Sequence, residues 1–307
     1  MQEIYLDNNA TTPLAPEVLE VMLPYYREYF GNPSSLHKYG IEAERAVKEA
    51  REKLAGIFHV KTSEVFFTSG ATEADNWALK GAARAMQRKG KHIITTKVEH
   101  EAVLEACNAL QQDGYEITFL DVDEYGKIKK EDALGAVNDN TIIVSIMSVN
   151  NELGTIYPVN ELAKEVKSKK EDIIFFTDGV QAFGKLEIDM EDIDMFALSG
   201  HKIHGPKGVG ALIKKENVRI EPLIHGGGQE IGLRSGTENV AGIAGLGNAA
   251  EISYENLEKN RKHIQTLKDK LIRTIREIDN VRINSPEDSI YSTVNAAFAG
   301  IPAEVLL

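Results

Sequence analysis

At 307 residues the chain is long enough for a large core and a smaller second domain. Its 35 basic against 47 acidic side chains, net −12, argue against a nucleic-acid or membrane-surface protein, and no apolar run is long enough to span a bilayer. Met1–Asp7 has no signal-peptide character, and a single cysteine, Cys107, excludes an intrachain disulfide and fits a reducing cytoplasm. In chain order, Tyr5–Pro13 reads as an extended polar arm. Pro16 to about Tyr29 reads as a helix, with apolar positions at Val18, Met22 and Tyr25. Gly31–His37 is a loop whose residues could simply cap the next helix, Lys38 to about Phe58.

From Val65 the pattern alternates. Strands are expected over 65–68, 92–96, 116–120, 141–147 and 173–177, and near 194–198 and 208–213. Helices are expected over 72–89, 101–112, about 130–137 and 158–168. Short apolar strands separated by amphipathic helices imply an α/β fold with a mostly parallel sheet covered on both faces. Ligands of such sheets sit beyond the carboxyl ends of the strands. A long helical region runs from Val240 into the 270s, densely charged from Glu255 to Lys270. Val281–Ile283 and Thr293–Phe298 then read as strands, and a helix opens at Pro302. The expected division is a large domain over 15–256 and a smaller α+β domain from 1–14 and 257–307, its C-terminal part missing.

The stretch Ser199–Gly210 is central. An apolar run, Met195–Leu198, leads in as a buried strand, and Gly205, Pro206, Gly208 and Gly210 behind it favour tight turns. Lys202 is thereby held at a strand end, where an amine can form a Schiff base with an aldehyde if its surroundings leave it neutral. Alone, the stretch reads more readily as a Gly-rich surface loop with two ordinary lysines. His201 and His204 lack nearby Cys or carboxylate ligands, so no metal is expected. Upstream, Asp172–Asp178 is a hydrophobic strand ending in a carboxylate, which suits a protonated pyridine nitrogen. Val65–Glu73 runs from strand through Gly70 into a helix start, where backbone N–H groups and the Ser69 and Thr72 hydroxyls suit a phosphate. Thr72 also reads as a plain N-cap, which is compatible. Acid, phosphate cup and lysine together point to pyridoxal 5'-phosphate.

These residues also carry a family resemblance. Tyr5–Pro13, Gly31–Ser35, Thr68–Glu73, Glu99–Val103, Val149–Gly154, Ser199–Lys202 and Arg234–Asn239 are similar, in order, to the motifs of the cysteine desulfurases, fold-type-I pyridoxal phosphate enzymes of the class V aminotransferase superfamily. The resemblance implies a large domain with a seven-stranded-type sheet, and a homodimer with active sites near the subunit interface. It implies Lys202 as the Schiff-base lysine, Asp178 on the pyridine nitrogen and Gln181 on the ring hydroxyl oxygen. Ala71, Thr72, Ser199 and His201 would hold the phosphate, and Thr237 would reach that of the neighbouring subunit. His100 would stack on the ring and act as acid–base, although its position also suits the N-terminal cap of helix 101–112. Asn151 would sit near the ring oxygen and substrate, with Asn150 the alternative. The family's nucleophilic cysteine and its substrate-carboxylate arginine lie beyond Leu307, so the chain is expected to be truncated or a leading portion.

The function implied is conversion of L-cysteine to L-alanine, with the persulfide sulfur delivered to an iron–sulfur scaffold or another acceptor protein. The alternatives are a selenocysteine lyase, a small-molecule aminotransferase, or a non-catalytic partner in sulfur transfer. Cys107 is not expected to carry the sulfur: with Val103, Leu104 and Leu110 it falls on one helical face, directed into packing.

Overall fold

The computed structural model describes residues 4–306. Met1–Glu3, part of the stretch read as lacking a signal peptide, and Leu307, the end of the chain, lie outside the described residues. Two helices come first. In α1 (Pro16–Arg27) the proline sits in the first turn, where no backbone N–H is needed for the helical ladder. His37 caps α2 (Lys38–Phe58): its Nδ1 accepts from the Gly40 N–H at 3.3 Å.

The sheet follows, with β1 (Val65–Thr68), β2 (His92–Thr96), β3 (Glu116–Leu120), β4 (Thr141–Ser145), β5 (Ile174–Asp178), β6 (Met195–Ser199) and β7 (Gly210–Lys214). The spatial order is β1-β7-β6-β5-β4-β2-β3. All pairings among β2 to β6 are parallel, whereas β7 is antiparallel to both β6 and β1. The expected mostly parallel α/β sheet is present, with this one strand reversed. Residues 200–209 are too few for a parallel crossover, which takes a dozen or more, so the chain folds straight back.

Helices cover both faces. α3 (Ala71–Asn76) continues through a π-helical turn (Trp77–Gly81) into α4 (Ala82–Met86), where the sequence reads as one regular helix. α5 (Glu101–Gln112), α6 (Lys130–Ala136) and α7 (Val159–Lys169) connect later strands. The long C-terminal helical region breaks at Asn256 into α8 (Val240–Glu255) and α9 (Leu257–Arg276). α8 is built mainly of Ala, Gly and aliphatic residues and is buried from Ala241 to Gly247, packed against α1 and α2. A two-stranded antiparallel sheet of β8 (Val281–Ile283) and β9 (Ala296–Phe298) and a short α10 (Ala303–Leu306) complete the chain.

Successive strand residues feed opposite core layers, as the two-residue period of a strand requires. Ile94 and Phe175 pack with Val18, Leu54, Val166 and Leu246 on one face. Ile93 and Phe176 pack with Trp77, Val103 and Cys107 on the other. The join between β5 and the turn after it is especially tight. A Cβ at Gly179 would lie 1.8 Å from Cζ of Phe196. That ring is buried and meets Phe58 edge-on at 5.1 Å, so it has nowhere to go. Gly179→Ala is expected to lower stability by about 1–3 kcal/mol or more. Urea unfolding measures it, and an unchanged midpoint would contradict this packing.

Candidate active site

Parallel strands place their carboxyl ends along one edge, and the chemistry-bearing residues gather there. Asp178 ends β5 and Ser199 ends β6; a 3₁₀ turn, Gly200–Lys202, follows at once. Ser69 and Gly70 lie between β1 and α3, His100 stands at the start of α5 after β2, and Asn151 follows β4. These loops surround a cavity of about 910 Å³. Ala71, Thr72, His100, Asn151, Asp178 and Gln181 line it, as do Ser199, His201 and Lys202. Thr237 does not; it is exposed on the loop before α8. Asn150 is committed elsewhere: its Oδ1 accepts from the N–H groups of Glu152 and Leu153, and its Nδ2 donates to the Val98 carbonyl.

The N-terminal arm closes one side of the cavity. Lys202 Nζ donates to the Ala10 carbonyl at 2.9 Å and also to that of Asn9. His201 Nδ1 pairs with Thr11 Oγ1 at 3.1 Å, and the Thr12 N–H and hydroxyl both donate to the His201 carbonyl. Asn9 Nδ2 reaches Thr293 Oγ1 at 2.9 Å and the Asn151 carbonyl at 3.1 Å. The arm is thus a wall of the site, a role its composition does not announce.

Opposite it, the turn Ser69–Thr72 forms a cup. Gly70 has φ +153°, a conformation L side chains rarely adopt, and a Cβ there would face Ser199 Oγ at 3.8 Å. Ser69 N–H donates to Glu73 Oε2 at 2.8 Å, and Arg234 grips the same carboxylate with two hydrogen bonds of 2.7 and 2.9 Å. Burial alone raises the Glu73 carboxyl, but the Arg234 and Ser69 hydrogen bonds outweigh it and hold its pKa below the ordinary value. The pair therefore ties the cup to the loop that carries Thr237.

A lysine, a strand-end carboxylate and a helix-start cup around one cavity narrow the field, and comparison with known proteins decides the family. The description of the class-V aminotransferases matches residues 4–307. The chain belongs to the class-V aminotransferase family. It is 48% identical to the cysteine desulfurase IscS of Clostridium botulinum, covering 100% of this chain and 78% of that protein. It is 46% identical to the cysteine desulfurase IscS of Methanosarcina thermophila, covering 99% and 76%. Among solved structures, a NifS-like protein superposes with a TM-score of 0.97 at 44% identity, covering 99% of this chain and 84% of the other. SspA in complex with cysteine gives 0.87 at 39% identity, covering 96% and 84%. The α/β sheet with its small second sheet is the fold-type-I architecture of this family.

Within this class-V site, charge is controlled by burial. Burial lowers the Lys202 pKa, against the opposing pull of Asp178 and Asp7. Burial also lowers His201, helped by the Lys202 and Lys207 charges. Asp178 is raised by burial, while the Val180 N–H at 2.9 Å and the His100 and Lys202 charges oppose the rise. His100 does cap α5, its Nδ1 accepting from the Ala102 N–H at 3.1 Å, and it lines the cavity as well. In the neutral ring, that leaves the proton on Nε2.

Two further acids adjoin Asp178, and one of them, Asp75, lines the cavity as well. Asp75 is buried, with neither carboxyl oxygen hydrogen-bonded among the described residues. Burial raises its pKa, and the neighbouring Asp178 and Glu99 raise it further. Glu99 Oε1 accepts from Thr96 Oγ1 and the Met147 N–H, yet burial still pushes this carboxyl up to about 8. Among the described residues, no three His, Cys, Asp or Glu converge as metal ligands. Cys107 is fully buried and its thiol is pushed up to about 12, first by burial and then by Glu99.

Because Glu99 has a folded-state pKa above its unfolded value, its stabilising contribution is complete below about pH 4.5 and is lost as pH rises through about 8. Glu99→Gln keeps the neutral shape without the titration. Its melting temperature is expected to match wild type near pH 4.5 and to exceed it increasingly toward pH 8. A difference independent of pH would contradict the buried, proton-bearing Glu99.

Proposed function

We propose that the chain binds pyridoxal 5'-phosphate with Lys202 as the amine for its aldehyde, and uses it to take sulfur from L-cysteine, leaving L-alanine. The observation that carries this reading is the convergence of Lys202, Asp178 and the Ser69–Thr72 cup on one cavity. The relatives named cysteine desulfurase, and the cysteine-bound SspA, support the substrate.

The residues present fit the cofactor. The cup opened by Gly70, with the free N–H groups of the α3 start and the hydroxyls of Thr72 and Ser199, would hold the phosphate. Asp178 would face the pyridine nitrogen, and Gln181 has an amide N–H to offer the ring oxygen. His100 would cover the ring, His201 would steady the phosphate, and Asn151 would stand beside the substrate. When bound, the cofactor supplies an electron sink for charge developing on the substrate's α-carbon. Asp178, paired with the ring nitrogen, would keep that nitrogen protonated, the state in which the sink is effective. Burial shifts Lys202 toward its neutral amine form, against the pull of Asp178 and Asp7, and Lys202 or His100 would move the substrate's proton.

The sulfur then passes to a thiolate other than Cys107, whose burial keeps it a thiol. An iron–sulfur scaffold or another acceptor protein would receive it, in the cytoplasm. A homodimer suits the exposed apolar side chains Phe30, Leu36, Tyr39 and Ile41, and would bring an exposed Thr237 to the neighbouring phosphate.

Borohydride reduction of the chain loaded with pyridoxal phosphate should place the pyridoxyl label on the Lys202 peptide. Incubation with L-cysteine and a small thiol should yield alanine, which Lys202→Ala abolishes. A label on Lys185 or Lys207, or a keto acid in place of alanine, would overturn the assignment.

A further inference from the structure

Lys185 is an unusual choice for its position. It follows the turn after β5, and burial together with the nearby Lys202 charge lowers its pKa to about 8. Among the described residues no carboxylate forms an ion pair with it. Placing a second, partly buried amine beside Lys202 lowers stability, and an apolar residue would fill the space without that cost. What Lys185 does make is one hydrogen bond: Nζ donates to Gln181 Oε1 at 2.8 Å. At its other end the same amide donates from Nε2 to the Asn9 carbonyl at 3.0 Å, the carbonyl that also accepts from Lys202.

We propose that Lys185 is a positioning residue for the active site: it holds the Gln181 carbonyl, so that the amide turns its N–H groups toward Asn9 and the cavity. This rests on the cofactor reading above. The orientation follows from the chemistry of the two ends. An ammonium can only donate and a peptide carbonyl can only accept, so the Gln181 oxygen faces Lys185 and the nitrogen faces Asn9. One N–H is used by Asn9, and the second is the donor left for an anionic ring oxygen in the cavity that Gln181 lines. Without Lys185 the amide is held at one end only, by the Asn9 carbonyl, and the direction of its second N–H toward the cavity is no longer fixed. Hydrogen bonds running from Lys185 through Gln181 and the Asn9 carbonyl to Lys202 then join the turn after β5 to the N-terminal arm and the reactive amine.

The test is a double-mutant cycle read by pyridoxal phosphate affinity and by the pH midpoint of the bound cofactor's absorbance. Lys185→Met is expected to weaken retention about threefold to tenfold and to shift the midpoint. Lys185→Arg, which keeps a donor, is expected to restore both. In a Gln181→Ala background Lys185→Met should have no further effect. Equal losses in both backgrounds would overturn the proposal, as would no loss in either. If wild type binds no cofactor, the functional reading fails, and the link is tested on the cofactor-free chain by hydrogen exchange. Lys185→Met should then speed exchange in residues 7–13 when Gln181 is present but not in Gln181→Ala, and unchanged exchange sinks the link.

Discussion

The Asp178 carboxylate lies at the end of β5, withdrawn from water, and an uncompensated charge in such a place costs several kcal/mol. Everything around it manages that cost. The Val180 N–H donates to it, and the Lys202 amine and the His100 ring stand where their positive forms would oppose the rise in its pKa. Burial raises all three neighbouring carboxyls, Asp75 and Glu99 as well as Asp178, and Asp178 raises the other two further, so the region favours few charges at once. In the proposed function the protonated ring nitrogen of the cofactor completes the compensation, and the same buried charge then governs the electronics of the reaction.

Position comes from long-range stitching. The Gly179 turn after β5 is packed against Phe196 of β6, so the carboxylate and the Lys202 turn are held on adjacent, mutually locked strands. The arm at residues 9–12 reaches the 201–204 turn, and Glu73 with Arg234 fastens the cup to the loop before α8. These contacts span long stretches of sequence, and each brings a backbone or charged group to the cavity from a different element. The arrangement preorganises polar groups before any ligand arrives, which is where much of an enzyme's electrostatic advantage resides.

The strands were legible because each is a short apolar run, rich in Val, Ile and Phe, bounded by breakers, and the site followed because strand-end residues of a parallel sheet gather at one edge. Lys202, Asp178 and the Ser69–Thr72 turn could be found that way. The reversal of β7 depends on the length of the 200–209 connection, not on hydrophobic pattern. The π turn at Trp77–Gly81 has no distinguishing composition. Asn9, Thr11 and Thr12 look like ordinary arm residues because their partners are nearly two hundred positions away. Asp75 sits in a helical stretch where an acid ordinarily faces water, and Lys185 likewise reads as surface. His100 caps α5 through Nδ1 and still lines the cavity, so the cap and a place at the site are compatible.

The central claim is that Asp178 remains anionic and keeps the cofactor's ring nitrogen protonated. Nitrogen-15 NMR of the chain loaded with ring-labelled pyridoxal phosphate reads this directly. The account predicts a protonated-nitrogen shift throughout the pH range in which the chain is folded, and its loss in Asp178→Asn. A ring nitrogen that titrates in wild type as it does in free solution, or one equally protonated in Asp178→Asn, would contradict it.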